Sequence, residues 1–180
     1  MLKNKLNITD EIELSKTEEK ITKLKALELY DSGKINTGEV GTFKGLAQIN
    51  NYLFSDIYDF AGKMRTVNIA KGNFRFASVL YLKDILKTID TMSEDNYDNI
   101  IKKYVEMNVA HPFREENGRS TRIWLNLILK KNLGQVVDWS KVCIDDYLLA
   151  MERSPIKDTK INILLKNALT DKVIRRCYLN

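Results

Sequence analysis

Residues 111–122 read His111-Pro112-Phe113-Arg114-Glu115-Glu116-Asn117-Gly118-Arg119-Ser120-Thr121-Arg122, and an almost uniformly apolar run from Ile123 to Leu129 follows them. The proline ends an incoming helix, because the residue before a proline is kept out of helical geometry. Asn117-Gly118 fits a tight turn, and Asn117 is a suitable N-cap for a following helix. The apolar run therefore predicts a buried central helix, which we expect to end at Gly134.

Two arginines, Arg119 and Arg122, fall on one face of the first turn of that helix. Cations at a helix N-terminus oppose the helix dipole, so a purely structural role would avoid them there. An anion bound at this end removes the conflict, because free backbone N–H groups and both guanidinium groups can hold it. The spacing therefore predicts a phosphate-binding site.

His111 is the single histidine of the chain, and the preceding helix delivers it to the mouth of this site. A histidine in that place is suited to take a proton from an attacking hydroxyl. Glu115, in the same loop, is a candidate ligand for a Mg²⁺ ion that bridges phosphate oxygens. Together these residues favour an enzyme that moves a phosphoryl or nucleotidyl group.

The hydrophobic pattern of the rest of the chain is mostly helical. Ser15-Lys16-Thr17-Glu18 fits a capping box, which predicts an N-terminal helix over about residues 15–32 that Gly33 ends. Two later helices are expected to open at Ser140 and at Ser154-Pro155. Another helix, ending near Gly62, is predicted by one apolar face: Ile49, Leu53, Ile57 and Phe60.

Residues 64–79 break the helical period. Val67 and Ile69 alternate with polar neighbours, and Gly72-Asn73 is a turn signal, so this segment predicts a β-hairpin. The whole pattern predicts an all-α fold, a helical bundle with one short β-hairpin. The length of 180 residues favours a single domain over residues 1–180.

Composition excludes several classes of protein. No stretch approaches the roughly 18 apolar residues of a membrane span, and the N-terminus does not resemble a signal peptide. Two cysteines, Cys143 and Cys177, make no disulfide framework, so we expect a reducing, cytoplasmic setting. The net charge of +5 comes without a basic stripe carrying interleaved aromatic residues, so direct nucleic-acid binding is disfavoured. Oligomeric state stays open.

The string from His111 to Arg122 resembles the signature of the Fic family, His-x-Phe-x-Asp/Glu-Gly-Asn-Gly-Arg-x-x-Arg, and departs from it at one specified position, Glu116. Tyr58 to Arg65 looks like the family's segment ahead of its target-binding flap, and Lys71 to Phe76 looks like the flap itself. The resemblance covers a core of about residues 40–170. It implies a Fic/Doc-like helical bundle whose hairpin, about residues 66–80, is the flap.

Typical Fic proteins transfer AMP from ATP to a Ser, Thr or Tyr hydroxyl of a target protein, so the resemblance implies a small bacterial protein adenylyltransferase that uses ATP and Mg²⁺. It assigns His111 as the base and Glu115 as the Mg²⁺ ligand. Phe113 would pack the loop into the core. The implied nucleotide-binding residues are Lys71, Asn108, Asn117, Gly118, Arg119 and Arg122. The implied flap residues, which would pair with the target as an added strand, are Asn73, Phe74, Arg75 and Phe76.

Glu116 stands where the family has glycine. A glutamate adds backbone strain if φ is positive, and it brings a second carboxylate near the phosphates. At ~5 Å the repulsion from one phosphate charge would be about 1–3 kcal/mol at intermediate dielectric. A side chain turned to solvent or towards Arg114 would avoid that repulsion. We expect a recognisable but weakened site.

Many Fic proteins carry a regulatory helix with the pattern Ser/Thr-x-x-x-Glu-Gly/Asn, and small members place it at the C-terminus. Residues 177–180 contain no such pattern, and its nearest approximation, Ser15 to Lys20, is broken by Lys20. We therefore expect either a protein without self-inhibition or a chain that lacks a regulatory tail.

Two other functions remain open. Doc-type relatives bind ATP in the reverse sense and transfer phosphate, and others transfer a nucleotidyl group from different nucleotides. The loop of these relatives departs from Gly-Asn-Gly, as this loop does at Glu116. The chain could alternatively be a catalytically weak module that docks partners through the flap. The target protein is not named by the sequence, although the resemblance suggests a type II topoisomerase subunit as one candidate.

Overall fold

The structure, a computed structural model, describes residues 2–33, 39–72 and 74–172. Its described part is dominated by helices, which confirms the predicted all-α fold. The helices are α1 (Glu11–Asp31), α2 (Phe43–Phe54), α3 (Val79–Asp90), α4 (Tyr97–Ala110), α5 (Asn117–Leu133), α6 (Ile144–Arg153) and α7 (Thr159–Asn167). The strands are β1 (Ala70–Lys71), β2 (Phe74–Arg75), β3 (Val136–Val137) and β4 (Leu169–Thr170).

Helix α5 is the centre of the bundle, as the apolar run from Ile123 to Leu129 predicts. Every residue of that run is buried, and the helix packs against α4 on one side and α2 on another. It ends at Gly134, whose φ of 67° reverses the chain at the C-cap. The buried hydrophobic residues of the described chain form one cluster around this helix. Burial of α5 fixes the position of its N-terminus, where the candidate site lies.

Helix α1 begins earlier than the sequence predicts. Asp10 is its N-cap, and its side chain accepts a hydrogen bond from the backbone N–H of Glu13 at 2.8 Å. The predicted start at Ser15 is therefore wrong, because Asp10 already caps the helix, and the expected capping box lies inside it. Glu18, the last residue of that box, is buried within the fold instead of closing the helix end. The predicted end is confirmed, because Ser32 is the C-cap and Gly33 has a φ of 69°.

Three other predicted boundaries also differ. Helix α2 ends at Phe54, so Ile57 and Phe60 lie in the turns that follow it. Ser140 lies in a short 3-10 helix, and α6 opens at Ile144. Ser154 is the C-cap of α6, so Ser154-Pro155 ends one helix and does not begin another.

The flap is confirmed as an antiparallel hairpin, in which Ala70 pairs with Arg75 and Lys71 with Phe74. Gly72 takes a φ of 56° at the turn, a conformation that glycine adopts without strain, and Asn73 lies outside the described residues. The described residues contain one strand pair more than the sequence predicts. A second pair of strands, β3 and β4, is antiparallel as well, and both of its valines are buried.

Among the residues described, no helix is long and apolar enough to cross a membrane. Cys143 is an exposed free thiol at the N-cap of α6, whereas Cys177 lies outside the described residues, as do all of residues 173–180.

Candidate active site

The loop between α4 and α5 places His111 at the edge of the site. Its backbone N–H donates to the carbonyl of Met107 at 3.0 Å, and its φ of 48° turns the chain out of α4. Phe113 then buries its ring and stacks on Phe43, with ring centroids 5.9 Å apart. This contact packs the loop into the core, as the resemblance implies for Phe113.

Asn117 holds the loop in shape through its side chain. Its Oδ1 accepts from the backbone N–H of Phe113 at 2.9 Å, and its Nδ2 donates to the carbonyl of Phe113 at 2.8 Å. The predicted N-cap role of Asn117 is wrong, because Asn117 is the first helical residue and Glu116 occupies the N-cap with a φ of 60°. With its amide engaged in the loop, Asn117 can offer a phosphate its backbone N–H group.

The imidazole of His111 is enclosed by the flap and by α4. The ring of Phe76 stacks on it with centroids 3.7 Å apart, and one ring nitrogen donates to the backbone carbonyl of Asn108. Burial, and then the charges of Arg65 and Lys71, lower the pKa of His111 to about 4, although the hydrogen bond to Asn108 acts in the opposite direction. His111 is therefore neutral near pH 7, and among the residues described no hydrogen bond engages the lone pair of its second ring nitrogen.

Arg65 joins the flap to the His111 loop, and the sequence did not mark it as a site residue. Its buried guanidinium donates to four backbone carbonyls, at distances of 2.8 Å to His111, 2.7 Å to Val67 and 3.1 Å to Ala110, with a shorter contact to Ala77. Its backbone N–H also donates to the carbonyl of Pro112 at 2.8 Å. Burial lowers the pKa of Arg65. These bonds fix the flap relative to the histidine.

The N-terminus of α5 is open towards an anion. Among the residues described, no side chain caps its first turn, so its backbone N–H groups remain available. Gly118 leaves space there, because an added Cβ would meet only Nη1 of Arg122, at 3.9 Å. Arg122 lies over the ring of Trp139 at 5.6 Å, and its buried Nε has no hydrogen-bond partner among the residues described.

Arg119 is held by two neighbours. Its Nε lies 3.3 Å from Oε2 of Glu116, and its Nη1 donates to the hydroxyl of Thr22 at 2.9 Å. The side chain of Glu116 therefore points towards Arg119. The two directions anticipated from the sequence, towards solvent or towards Arg114, are both wrong. The positive φ of Glu116 confirms the anticipated backbone strain.

Three carboxylates, Glu18, Glu115 and Glu116, interact electrostatically near the start of α5. Burial, followed by the charge of Glu18, raises the pKa of Glu115. Burial also raises the pKa of Glu116, with Arg119 opposing and with Glu18 and Glu115 adding to the shift. The hydroxyl of Tyr58 donates to the carboxylate of Glu18.

Of these carboxylates, Glu115 could hold a cation such as Mg²⁺ together with phosphate oxygens, the coordination that Mg²⁺ commonly takes. In the part of the chain that the structure describes, no group of three or more His, Cys, Asp or Glu side chains could hold a metal. Phosphate oxygens would therefore have to complete the coordination of such an ion.

The remaining predicted site residues divide into two groups. Lys71 and Arg75 are exposed on the flap, and Phe74 packs edge-on against Phe76 with centroids 5.1 Å apart. Asn108 makes two hydrogen bonds near the site. Its Nδ2 donates to the carbonyl of Tyr104 at 2.8 Å within α4, and its backbone carbonyl accepts from the His111 ring.

Comparisons with known proteins agree with this geometry. The model of the Fic/DOC family matches residues 42–129. Protein adenylyltransferase VbhT of Bartonella schoenbuchensis is 27% identical over 187 aligned residues, which cover 96% of this chain but only 38% of that longer protein. Probable protein adenylyltransferase Fic of Salmonella typhimurium is 24% identical, with 95% of this chain and 88% of that protein covered.

Solved structures share the fold over nearly the whole chain. The BepC protein of Bartonella tribocorum, crystallised with bound AMPPNP, is similar with a TM-score of 0.77 and 19% identity, over 96% of this chain and 94% of that one. The N-terminal FIC domain of Bep8 from Bartonella sp. 1-1C gives a TM-score of 0.79 at 17% identity, over 93% and 90% of the two chains. Motif, fold and relatives agree, and the chain belongs to the Fic/DOC family.

Proposed function

We propose that this protein is an adenylyltransferase that moves AMP from ATP to a Ser, Thr or Tyr hydroxyl of a target protein. One observation carries the proposal: a neutral histidine with a free ring nitrogen stands beside an uncapped helix N-terminus that bears two arginines. The family relatives named as protein adenylyltransferases support the same reaction. We also infer a cytoplasmic setting, which the absence of a disulfide framework favours.

In the proposed reaction, His111 acts as the general base. Its N–H towards Asn108 fixes the ring, so the other nitrogen accepts the proton of the target hydroxyl. The hydroxyl oxygen forms a bond to the α-phosphorus of ATP, the bond from that phosphorus to the bridging oxygen breaks, and pyrophosphate leaves. The low pKa of His111 then favours return of the proton to solvent.

The start of α5 supplies the charge that the phosphates need. Backbone N–H groups of Asn117 and Gly118 and the guanidinium of Arg119 would bind the α- and β-phosphates, and Arg122 would meet the γ-phosphate. Among the residues described, Nε of Arg122 has no hydrogen-bond partner, which is consistent with a ligand at that position. Glu115 would hold Mg²⁺, which when bound neutralises phosphate charge. Catalysis would rest mainly on positioning and charge neutralisation.

The flap would hold the target by adding a strand to the hairpin. Its strands are short and exposed, so their backbone groups are accessible to an extended peptide. Phe76 belongs to the same hairpin and touches His111, so a peptide docked there would lie next to the base. The candidate target, a type II topoisomerase subunit, remains a proposal.

Transfer of phosphate is the second candidate, and Glu116 is the observation that favours it. The carboxylate of Glu116 is paired with Arg119, so it competes with the α- and β-phosphates that Arg119 would bind during AMP transfer. ATP bound in the reverse sense would place different phosphates there. A module that only docks partners is the third candidate, and such a module need not bind ATP.

One experiment separates these functions. The protein is incubated with a bacterial lysate and with ATP labelled on either the α- or the γ-phosphate. AMP transfer labels a protein only from α-labelled ATP, and phosphate transfer only from γ-labelled ATP. His111→Ala should lose labelling by at least about 100-fold, as expected for a general base, while its affinity for ATP stays within twofold. Absence of ATP binding by the wild type would contradict both transferase proposals.

A further inference from the structure

We propose that Thr22, in the N-terminal helix, positions Arg119 for phosphate binding; the inference rests on the proposed function. Thr22 lies outside residues 42–129, the part that the family model matches, and is 97 residues from Arg119 in the chain. It nevertheless makes a direct side-chain hydrogen bond to that arginine at 2.9 Å.

The hydroxyl of Thr22 both donates and accepts a hydrogen bond in this arrangement. It is buried, it donates its hydrogen to the carbonyl of Glu18 at 2.7 Å, and its oxygen accepts from Nη1 of Arg119. A hydroxyl has one donor hydrogen and two acceptor lone pairs, so both bonds form at once. The bond to Glu18 fixes the direction in which the remaining lone pairs point. Thr22 therefore offers Arg119 an acceptor with a set orientation.

Three contacts then restrict the guanidinium of Arg119. Thr22 holds Nη1, Glu116 lies 3.3 Å from Nε, and the ring of Phe54 lies 5.9 Å from the guanidinium carbon. A guanidinium has five N–H donors, and these contacts leave the Nη2 group to face a ligand. The contacts with Thr22 and Phe54 fix the side chain before ATP arrives and so lower the entropy lost on binding, whereas the carboxylate of Glu116 competes with phosphate for the same charge. Thr22 is a positioning residue in this scheme, because it acts through Arg119 and does not touch the nucleotide.

The hydrogen bond between Thr22 and Arg119 links helix α1 to helix α5. Helix α1 packs against α2, and Arg119 belongs to the first turn of α5. A neutral hydroxyl suits this junction because it orients the guanidinium without neutralising its charge. A carboxylate in the place of Thr22 would instead compete with phosphate for the same cation.

The test is a comparison of Thr22→Val with Thr22→Ser by titration with ATP and Mg²⁺. Valine keeps the shape and removes the acceptor, whereas serine keeps the hydroxyl. We expect Thr22→Val to weaken ATP binding about fivefold to tenfold and Thr22→Ser to remain within about twofold of the wild type. Thr17→Val, at a half-buried position on the same helix, is the matched control for loss of a threonine hydroxyl. Thermal unfolding of each variant shows that it is folded, and Thr22→Ala replaces Thr22→Val if valine does not fold.

A double-mutant cycle with Arg119→Ala assigns the effect to the proposed contact. In the Arg119→Ala background, Thr22→Val should weaken ATP binding no further. An equal effect of Thr22→Val in both backgrounds, or wild-type affinity of Thr22→Val, would overturn the role of Thr22. If Arg119→Ala itself binds ATP like the wild type, the phosphate role of Arg119 fails, and with it both this inference and the proposed site.

Discussion

The ring of Phe76 in the flap lies nearly flat against the ring of His111, with centroids 3.7 Å apart and planes inclined by 21°. The flap is therefore part of the environment of the base, as well as a candidate surface for the target. Because the phenyl ring shields the imidazole from water, it disfavours the charged form. The Phe76 contact is therefore part of the burial that lowers the pKa of His111.

Titration of His111 provides the first prediction. The chain has one histidine, so its imidazole signals in a proton NMR spectrum need no assignment by mutation. We expect a midpoint near pH 4, because burial lowers the pKa of His111 to about 4 from its ordinary 6.5. Phe76→Ala should move the midpoint upward, towards 6.5, by exposing the ring. A wild-type midpoint near 6.5 would contradict the enclosed geometry.

The same shift has a consequence for stability. The unfolded chain binds a proton at His111 near pH 6.5 and the folded chain only near pH 4, so protonation favours unfolding between these values. The contribution of His111 to stability is present in full above pH 6.5 and is lost as the pH falls to about 4. Chemical unfolding of the wild type and of His111→Gln over this range isolates the effect, because the carboxylates are common to both.

Substitution of Glu116 is the second prediction. Glu116→Gly removes both the strain of the positive φ and the carboxylate beside Arg119, whereas Glu116→Gln removes only the charge. We expect both variants to bind ATP at least about fivefold more tightly, as loss of roughly 1–3 kcal/mol of repulsion implies. Only Glu116→Gly should also gain about 0.5–1 kcal/mol in the free energy of unfolding. Unchanged ATP affinity in both variants would make this departure from the family pattern neutral.

Arg122 is the subject of the third prediction. Arg122→Met keeps an apolar stem over Trp139 but removes the cation, so we expect a melting temperature within a few degrees of the wild type. Affinity for ATP should fall at least about tenfold, because charge-assisted hydrogen bonds to the phosphate are lost. Arg114→Met, which removes an exposed positive charge from the loop that precedes α5, is the control. A large fall in melting temperature with unchanged ATP affinity would make Arg122 a structural residue.

The fourth prediction concerns Arg65, which donates to four backbone carbonyls of the flap and the His111 loop. Arg65→Met leaves those oxygens without a donor, so the free energy of unfolding should fall by about 3 kcal/mol or more. Arg65→Lys retains a charge and up to three donors, and it should recover only part of that loss. Urea unfolding measures both. A loss below about 1 kcal/mol for Arg65→Met would show that the flap is held by other contacts.

Structural elements that are determined by residues close together in the sequence could be predicted. The end of α4 before Pro112, the buried run of α5, the C-cap at Gly134 and the hairpin at Gly72 all follow from local signals. The pairing of Val136 with Thr170 could not be predicted, because neither two-residue strand is long enough to show an alternating pattern.

The candidate site shows the same division. The segment from His111 to Arg122 predicted which chemical groups meet at the start of α5, because those groups are close in sequence. Thr22 and Arg65 were missed, since their importance arises from contacts with distant segments that carry no local pattern. Asn117 was misassigned as the N-cap for a related reason. Its side chain hydrogen-bonds to the backbone of Phe113, and this conformation depends on the burial of the loop.

The stacking of Arg122 on Trp139 also gives the protein an optical signal of its own. The chain has two tryptophans, and only Trp139 lies beneath a guanidinium of the candidate site; the fully buried Trp124 donates its indole N–H to the carbonyl of Thr42 at 3.0 Å. Movement of the guanidinium towards a phosphate would change the electric field at the Trp139 ring and shift its fluorescence, while the emission of Trp124 stays constant. Nucleotide binding should thus be visible without any label, and Trp139→Phe provides the silent reference.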